Sequence, residues 1–198
     1  MNKQILLAIP TYSPYIHYQC MESFYGIRKP DGYEIEVQFV CGYSAAQARN
    51  KACNQAIKRG FDYLLMIDAD QIAPADTLEK LIACNSEVSC GWAMQCVNDN
   101  RTNISKYVAE KSWYDFFRIE ELDSLPGIIE ADAIGFACVM IKVSVFQKLE
   151  YPYFRYIEYG DGTCLSEDLQ FSSSLRAKGI PIVVDKSLNL PHQKIISI

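Results

Sequence analysis

Two carboxylates, one residue apart, close an apolar run: Tyr63-Leu64-Leu65-Met66-Ile67-Asp68-Ala69-Asp70. Hard oxygen ligands at that spacing suit a divalent cation such as Mg2+ or Mn2+, and a bound cation suits a phosphate substrate. The run itself reads as a strand buried on both faces. Its carboxyl end is where open α/β sheets bind ligands. For Asp70 a bland alternative is a helix cap ahead of Pro74. Arg49 is the cation placed to compensate phosphate charge, against a surface arginine that merely packs its stem.

Strands and helices alternate around this segment. Ile5 to Ile9 predicts a first strand, followed by the loop Pro10-Thr11-Tyr12-Ser13-Pro14. A helix is expected over Ile16 to Tyr25, then a strand over Ile35 to Cys41. Ser44 with Gln47 fits a capping box, and Gly60 is well placed to stop that helix. Ala45, Ala48, Ala52 and Ala56 recur at helical spacing and predict a small face that lies close to a sheet. Pro74 fits the first turn of a further helix with Leu78, Leu81 and Ile82 inward. Val88 to Met94 reads as another strand.

Residues 98 to 127 break the alternation. They open on the loop signal Asn98-Asp99-Asn100-Arg101-Thr102-Asn103 and continue with Trp113, Tyr114, Phe116 and Phe117. The stretch is either a lid, acceptor surface or partner contact, or an aromatic cluster packing a local subdomain. Ile128–Ile129 and Ala137 to Ile141 then predict strands flanking Gly135. Val143 to Leu149 predicts a short helix, and Ser166 caps one running to Lys178, stopped by Gly179. Leu169 and Phe171, or Ser172 and Leu175, face inward. A last strand spans Ile182 to Val184. This order implies an α/β fold with a mostly parallel sheet and helices on both faces.

The chain has 198 residues, 49% hydrophobic and 22% charged, which suffices for one fully cored domain. Its net charge of -5 argues against broad attraction to nucleic acid or anionic lipid. No apolar run is long enough to span a membrane, and Ile5 to Ile9 lacks signal-peptide organisation. The eight cysteines form no CxxC pair, so reduced thiols and a cytoplasmic location are expected rather than disulfides or zinc.

Four segments in order resemble the family 2 glycosyltransferases of the GT-A fold. Ala8-Ile9-Pro10-Thr11-Tyr12 resembles the opening strand and nucleotide loop. Ser44-Ala45-Ala46-Gln47-Ala48-Arg49-Asn50 resembles the family's Ala-Arg-Asn helix start, and Asp68-Ala69-Asp70 its DxD motif. Ser166-Glu167-Asp168-Leu169-Gln170-Phe171 resembles its Glu-Asp segment, with His192 where a late metal-binding histidine falls. The resemblance implies one GT-A-like domain over 1–198. Residues 1–97 would bind a nucleotide-sugar donor, and 98–198 would bind a glycan, lipid or protein acceptor and carry catalysis. The chain is short for the family. It also has Val40-Cys41-Gly42-Tyr43 where many members carry a base-reading aspartate, which leaves the nucleotide unassigned.

Under this resemblance Asp70 is the first metal ligand, with Asp68 nearer the ribose or reaching the metal through water, and His192 completing the Mn2+ or Mg2+ shell. The alternative for His192 is an ordinary histidine after Pro191. Pro10, Thr11, Tyr12, Arg49 and Ala69 join Asp68 and Asp70 around the donor. Asp168 is the base that activates the acceptor hydroxyl, and Glu167 either replaces it or orients the acceptor. Consecutive helical residues point about 100° apart, so both cannot address one proton equally. The helix macrodipole favours two acids there without any catalytic role. Asp132 is expected at the acceptor or donor sugar, Gly135 to allow close backbone approach, and Trp92 either to stack on a sugar or to pack the core. His17 reads as structural. An Asp base would give inversion by single displacement, by analogy with inverting hydrolysis.

Two other readings compete. A haloacid dehalogenase-type phosphatase shares the Asp-x-Asp after a buried strand, but Ile72 stands where it carries Thr or Val. A nucleotidyltransferase would show a Gly-rich loop where this chain has Pro10 to Pro14. A catalytically silent sugar-nucleotide-binding scaffold is the reading from another class.

Overall fold

The computed structural model describes residues 2–96 and 98–193. Its frame is a mixed sheet whose central strands alternate core side chains to both faces. In β1 (Lys3–Thr11), Leu6 and Ala8 join one core cluster while Ile5, Leu7 and Ile9 join another. Helix α1 (Tyr18–Tyr25) leads to β2 (Tyr33–Cys41), which pairs parallel with β1. Helix α2 (Ala45–Arg59) starts at the Ser44/Gln47 capping box and stops at Gly60, which is left-handed (φ 72°). Its Ala48, Ala52 and Ala56 are fully buried, so the helix lies against the sheet as the small side chains allow. The run Tyr63–Ile67 forms β3, parallel to β1 with Ala8 opposite Met66. The carboxyl ends of β1 and β3 therefore open on the same edge.

Helix α3 (Thr77–Ala83) begins later than expected. Pro74 lies before it, its carbonyl accepting from the Thr77 N–H and hydroxyl. Leu78 and Leu81 are buried and Ile82 is half-buried. The run expected as one strand to Met94 is split at Ala93 into β4 (Val88–Trp92) and β5 (Met94–Cys96). Asn103 explains the split: its Oδ1 accepts from Ala93 N at 2.9 Å and its N–H donates to Ala93 O at 3.0 Å. The chain thereby leaves the central sheet for a second one.

That second sheet contains the 98–127 excursion. The expected loop gives way to β6 (Arg101–Val108), which turns through a 3-10 segment (Ala109–Lys111) into β7 (Trp113–Arg118). Helix α4 (Ile119–Asp123), β8 (Ile128–Ala131) and the two-residue β9 (Ala133–Ile134) follow. The hairpin packs locally. Tyr107 and Tyr114 meet edge-on at 5.4 Å, and the Arg176 guanidinium covers Tyr107 at 3.7 Å. Strand β10 (Cys138–Lys142) and a 3-10 segment (Val143–Lys148) precede the short hairpin β11 (Ile157–Glu158) and β12 (Cys164–Leu165). Helix α5 (Glu167–Ala177) buries Leu169, Phe171, Ser172 and Leu175 together. Strand β13 (Ile182–Asn189) runs well beyond Val184.

The central sheet has the order β2-β1-β3-β10-β4-β13-β8. Strands β1, β2, β3, β4 and β13 point one way, and β10 and β8 the other. Helices α2 and α5 cover one face and α1 and α3 the other. This is the GT-A-like α/β architecture, with both halves of the chain sharing one sheet. Among the described residues no helix is long and apolar enough to cross a membrane. The seven cysteines whose side chains are described are free thiols; the Cys96 side chain lies outside the described set.

Candidate active site

Strand β3 delivers Asp68 to the edge, where its N–H donates to Ala137 O. Asp68 Oδ1 accepts from Arg49 Nη2 at 2.9 Å, and Arg49 Nη1 is bonded to Glu167 Oε1. Arg49 is only 4% exposed, with its guanidinium 5.0 Å from the Phe136 ring centre. Burial alone would lower the arginine's pKa, but the carboxylates of Asp68 and Glu167 outweigh it and raise the value. Burial pushes the Asp68 carboxyl up, only partly offset by Arg49, with the Asp70 charge adding to the rise. Arg49 thus joins the end of β3 to the start of α5, across segments far apart in sequence.

Asp70 lies two residues on, its Oδ2 2.6 Å from His192 Nε2. The backbone clasps this pair. Gln193 N–H donates to Asp70 O at 2.7 Å, Ile72 N–H to Pro191 O at 2.9 Å, and Gln71 bridges His192 in antiparallel register. Burial acts to raise the Asp70 carboxyl, yet the His192 hydrogen bond wins and holds it below the ordinary range. Among the described residues no three His, Cys, Asp or Glu side chains form a closed metal cage. An open carboxylate–imidazole pair fits a different kind of site, in which one or two protein ligands share a cation with substrate phosphates.

A cleft of about 510 Å3 opens at Arg49, Asp68 and Asp70, within the size of small-molecule sites. Pro10, Thr11, Tyr12, Arg49, Asp68, Ala69 and Asp70 all line it. So do Tyr15, His17, Tyr43, Ser44, Ala45 and Gln193, which sequence reasoning did not place there. His17 keeps its structural part as well, since its Nδ1 accepts from Gln19 N and caps α1.

Ser166 takes the extended N-cap conformation at α5, but its hydroxyl bonds Asp168 Oδ1 rather than capping the helix. Leu169 N–H also donates to Asp168 Oδ1, at 2.8 Å. The other oxygen, Oδ2, faces Gly135 so closely that a β-carbon there would sit 3.4 Å from it and 3.1 Å from Asn103 Cβ. Asp168 is near enough to Asp68 for their charges to interact. Glu167, by contrast, is buried in its ion pair with Arg49.

Six expected residues do not line this cleft: Trp92, Asp132, Gly135, Glu167, Asp168 and His192. Trp92 donates from Nε1 to Lys186 O at 2.9 Å and packs on the core. Asp132 accepts from Tyr107 N at 2.8 Å beneath the β6–β7 hairpin. Three residues near the site were not foreseen in any role. Asn50 clamps the Phe154 backbone through both amide atoms, and Asn103 donates to Gly135 O at 2.8 Å. Tyr156 lies beside Glu167, and burial followed by that carboxylate pushes its phenol up to about 12. The only sequence signal for Asn50 was its place in the Ala-Arg-Asn segment.

No protein-family model matches the chain, and no curated protein sequence matches it. Solved structures do resemble its fold. A197 from STIV superposes with a TM-score of 0.61 at 18% identity, over 98% of this chain and 86% of that one. GalNAc-T7, solved with UDP, GalNAc and Mn2+, gives 0.63 at 10% identity and covers 98% of this chain. This chain spans only 44% of that protein's length. A protein of Desulfovibrio desulfuricans G20, provisionally assigned as a nucleotide-diphospho-sugar transferase, gives 0.51 at 10% identity over 99% and 83% of the two chains.

Proposed function

We propose that this chain is a metal-dependent glycosyltransferase that moves a sugar from a nucleotide-sugar donor to an acceptor hydroxyl. The observation that carries the proposal is the shared cleft at the ends of β1 and β3. It gathers the Pro10–Tyr12 loop, Arg49 and Asp68–Asp70, with Asp168 within electrostatic reach. The fold of GalNAc-T7, a protein solved with UDP and Mn2+, supports the same reading.

Asp70 and His192 are the residues that would hold Mn2+ or Mg2+, with Asp68 alongside. The cation supplies Lewis-acid stabilisation of charge on the leaving diphosphate. Asp168 accepts the proton of the acceptor hydroxyl as its oxygen bonds to the anomeric carbon and the bond from that carbon to the diphosphate breaks. The bonds from Ser166 and Leu169 to Oδ1 fix the carboxylate. One in-line displacement of this kind inverts the anomeric centre. Glu167, held by Arg49, serves as a positioning residue rather than a second base.

A thermal-shift screen tests the proposal. UDP, GDP, CMP, dTDP and their sugar conjugates would each be added with and without Mn2+. Binding to the folded state alone raises stability by mass action. Metal-dependent stabilisation is expected. A folded protein that responds to none of them would sink the proposal in favour of the silent scaffold or the phosphatase.

A further inference from the structure

One uncharged residue touches both members of the Asp70–His192 pair. Gln71 follows Asp70 directly and is only 2% exposed. Its backbone forms the antiparallel bridge with His192, and its N–H donates to Asp68 O at 3.1 Å. Its side chain turns to the other member of the pair, Nε2 donating to Asp70 Oδ1 at 3.3 Å. Asp70 thus has a side-chain partner on each carboxylate oxygen, Gln71 on Oδ1 and His192 on Oδ2. The amide has one workable orientation, because turned round it would set its oxygen against a carboxylate oxygen.

Stability does not explain this residue. Among the described residues nothing bonds the buried Gln71 Oε1. A buried acceptor without a donor costs free energy that an apolar side chain of the same shape avoids. The Asp70 side chain is 55% exposed, so water can satisfy Oδ1 without help from Gln71. What the amide adds is direction. Each carboxylate oxygen has two lone pairs, so one hydrogen bond leaves each oxygen able to ligate a cation. The His192 partnership is of another kind. An imidazole ligates in its neutral form, through a nitrogen that carries no proton. A cation taking His192 Nε2 therefore ends its hydrogen bond to Asp70, and Gln71 is the side-chain donor that stays.

From this arrangement, and resting on the metal-site reading above, we infer that Gln71 is a positioning residue that orients the Asp70 carboxylate for the cation. Groups that hold a metal ligand in place set affinity although they never touch the metal.

Electron paramagnetic resonance of Mn2+ titrated with the full chain, alone and with UDP, tests this. Gln71→Met removes the amide at similar volume and should weaken Mn2+ binding by about ten- to a hundredfold. A thermal melt of the same variant without metal separates positioning from packing. Its midpoint should stay within about 4 °C of wild type, or rise, because the unpaired acceptor goes with the amide. Gln71→Leu repeats both measurements in a second apolar variant. Mn2+ affinity within about twofold of wild type in both variants would overturn the inference while upholding the metal site. A midpoint lowered by more than about 4 °C in both would also overturn it, and make Gln71 a packing residue. No Mn2+ uptake by the wild type in either condition would remove the metal-site reading itself, and this inference with it.

Discussion

Arg49 bonds Asp68 through one guanidinium nitrogen and Glu167 through the other, so a single buried side chain ties the end of β3 to the start of α5. Removing it leaves two carboxylates facing each other with no counter-charge. Breaking a buried pair in this way costs about 3–5 kcal/mol. Arg49→Met should therefore lower stability by about that amount, read by urea denaturation. Arg49→Lys keeps the charge but lacks the two-ended fork, and should recover only part of it. A loss below about 1 kcal/mol in Arg49→Met would show that the triad does not hold the two segments together.

The Asp70–His192 pair predicts where metal affinity resides. Asp70→Asn should abolish turnover and metal-dependent donor binding. His192→Ala should weaken Mn2+ binding by about ten- to a hundredfold, the usual scale for disturbing a metal-site ligand environment. Electron paramagnetic resonance of free Mn2+, titrated with protein and UDP, measures both. Equal Mn2+ affinity in wild type and both variants would place the cation elsewhere.

Asp168 separates chemistry from binding. Asp168→Asn is near-isosteric and preserves acceptance from Leu169 N–H, so donor affinity should hold. Loss of a general base costs about 10²–10⁴ in rate. Near-normal transfer by Asp168→Asn would mean the proton leaves by another route.

Thiol chemistry reports how the core is closed. The thiolate is the reactive form, so a raised pKa slows alkylation. Burial pushes Cys138 up to about 12 and Cys84 to about 11, and raises Cys53 and Cys90 well above the ordinary value. Iodoacetamide at pH 8, followed by mass spectrometry, should mark the exposed Cys41 and Cys164 first. Cys84 should lag although it is only partly buried, and its labelling should climb as pH rises toward 11. Early modification of Cys90 or Cys138 would indicate an open sheet.

Local signals made much of this legible in the sequence. The apolar run ending in Asp68 fixed both β3 and the cleft's position, because a strand buried on both faces has no polar interior residue to confuse its period. Ser44, Gln47 and Gly60 bounded α2 for reasons contained within the helix itself. Long-range partners were not legible. Nothing near Arg49 announces Glu167, and nothing near Ala93 announces that Asn103 will bond both its backbone groups and divert the strand. Trp92 and Asp132 were chemically apt for sugar contact, but Lys186 and Tyr107, each distant in sequence, engage them elsewhere. The late start of α3 is of another kind: Pro74 satisfied a first-turn rule, yet its carbonyl is spent on Thr77 one turn early.

Gly135 offers the sharpest geometric prediction. A β-carbon there would meet Asn103 Cβ at 3.1 Å and Asp168 Oδ2 at 3.4 Å. Asn103 cannot readily yield, because its side chain bonds both Ala93 N and Gly135 O. The contact with Asp168 Oδ2 is ordinary van der Waals distance and its Oδ1 is held by Ser166 and Leu169, so the crowding falls on Asn103 and reaches the base only through the Gly135 backbone. Gly135→Ala is expected to cost about 1–3 kcal/mol of stability, the range for overpacking a filled site. Its kcat should fall further than its donor affinity, since neither Gly135 nor Asn103 lines the cleft. Steady-state kinetics beside a nucleotide titration resolve the two. A variant with full kcat would show that crowding at Gly135 does not reach the base.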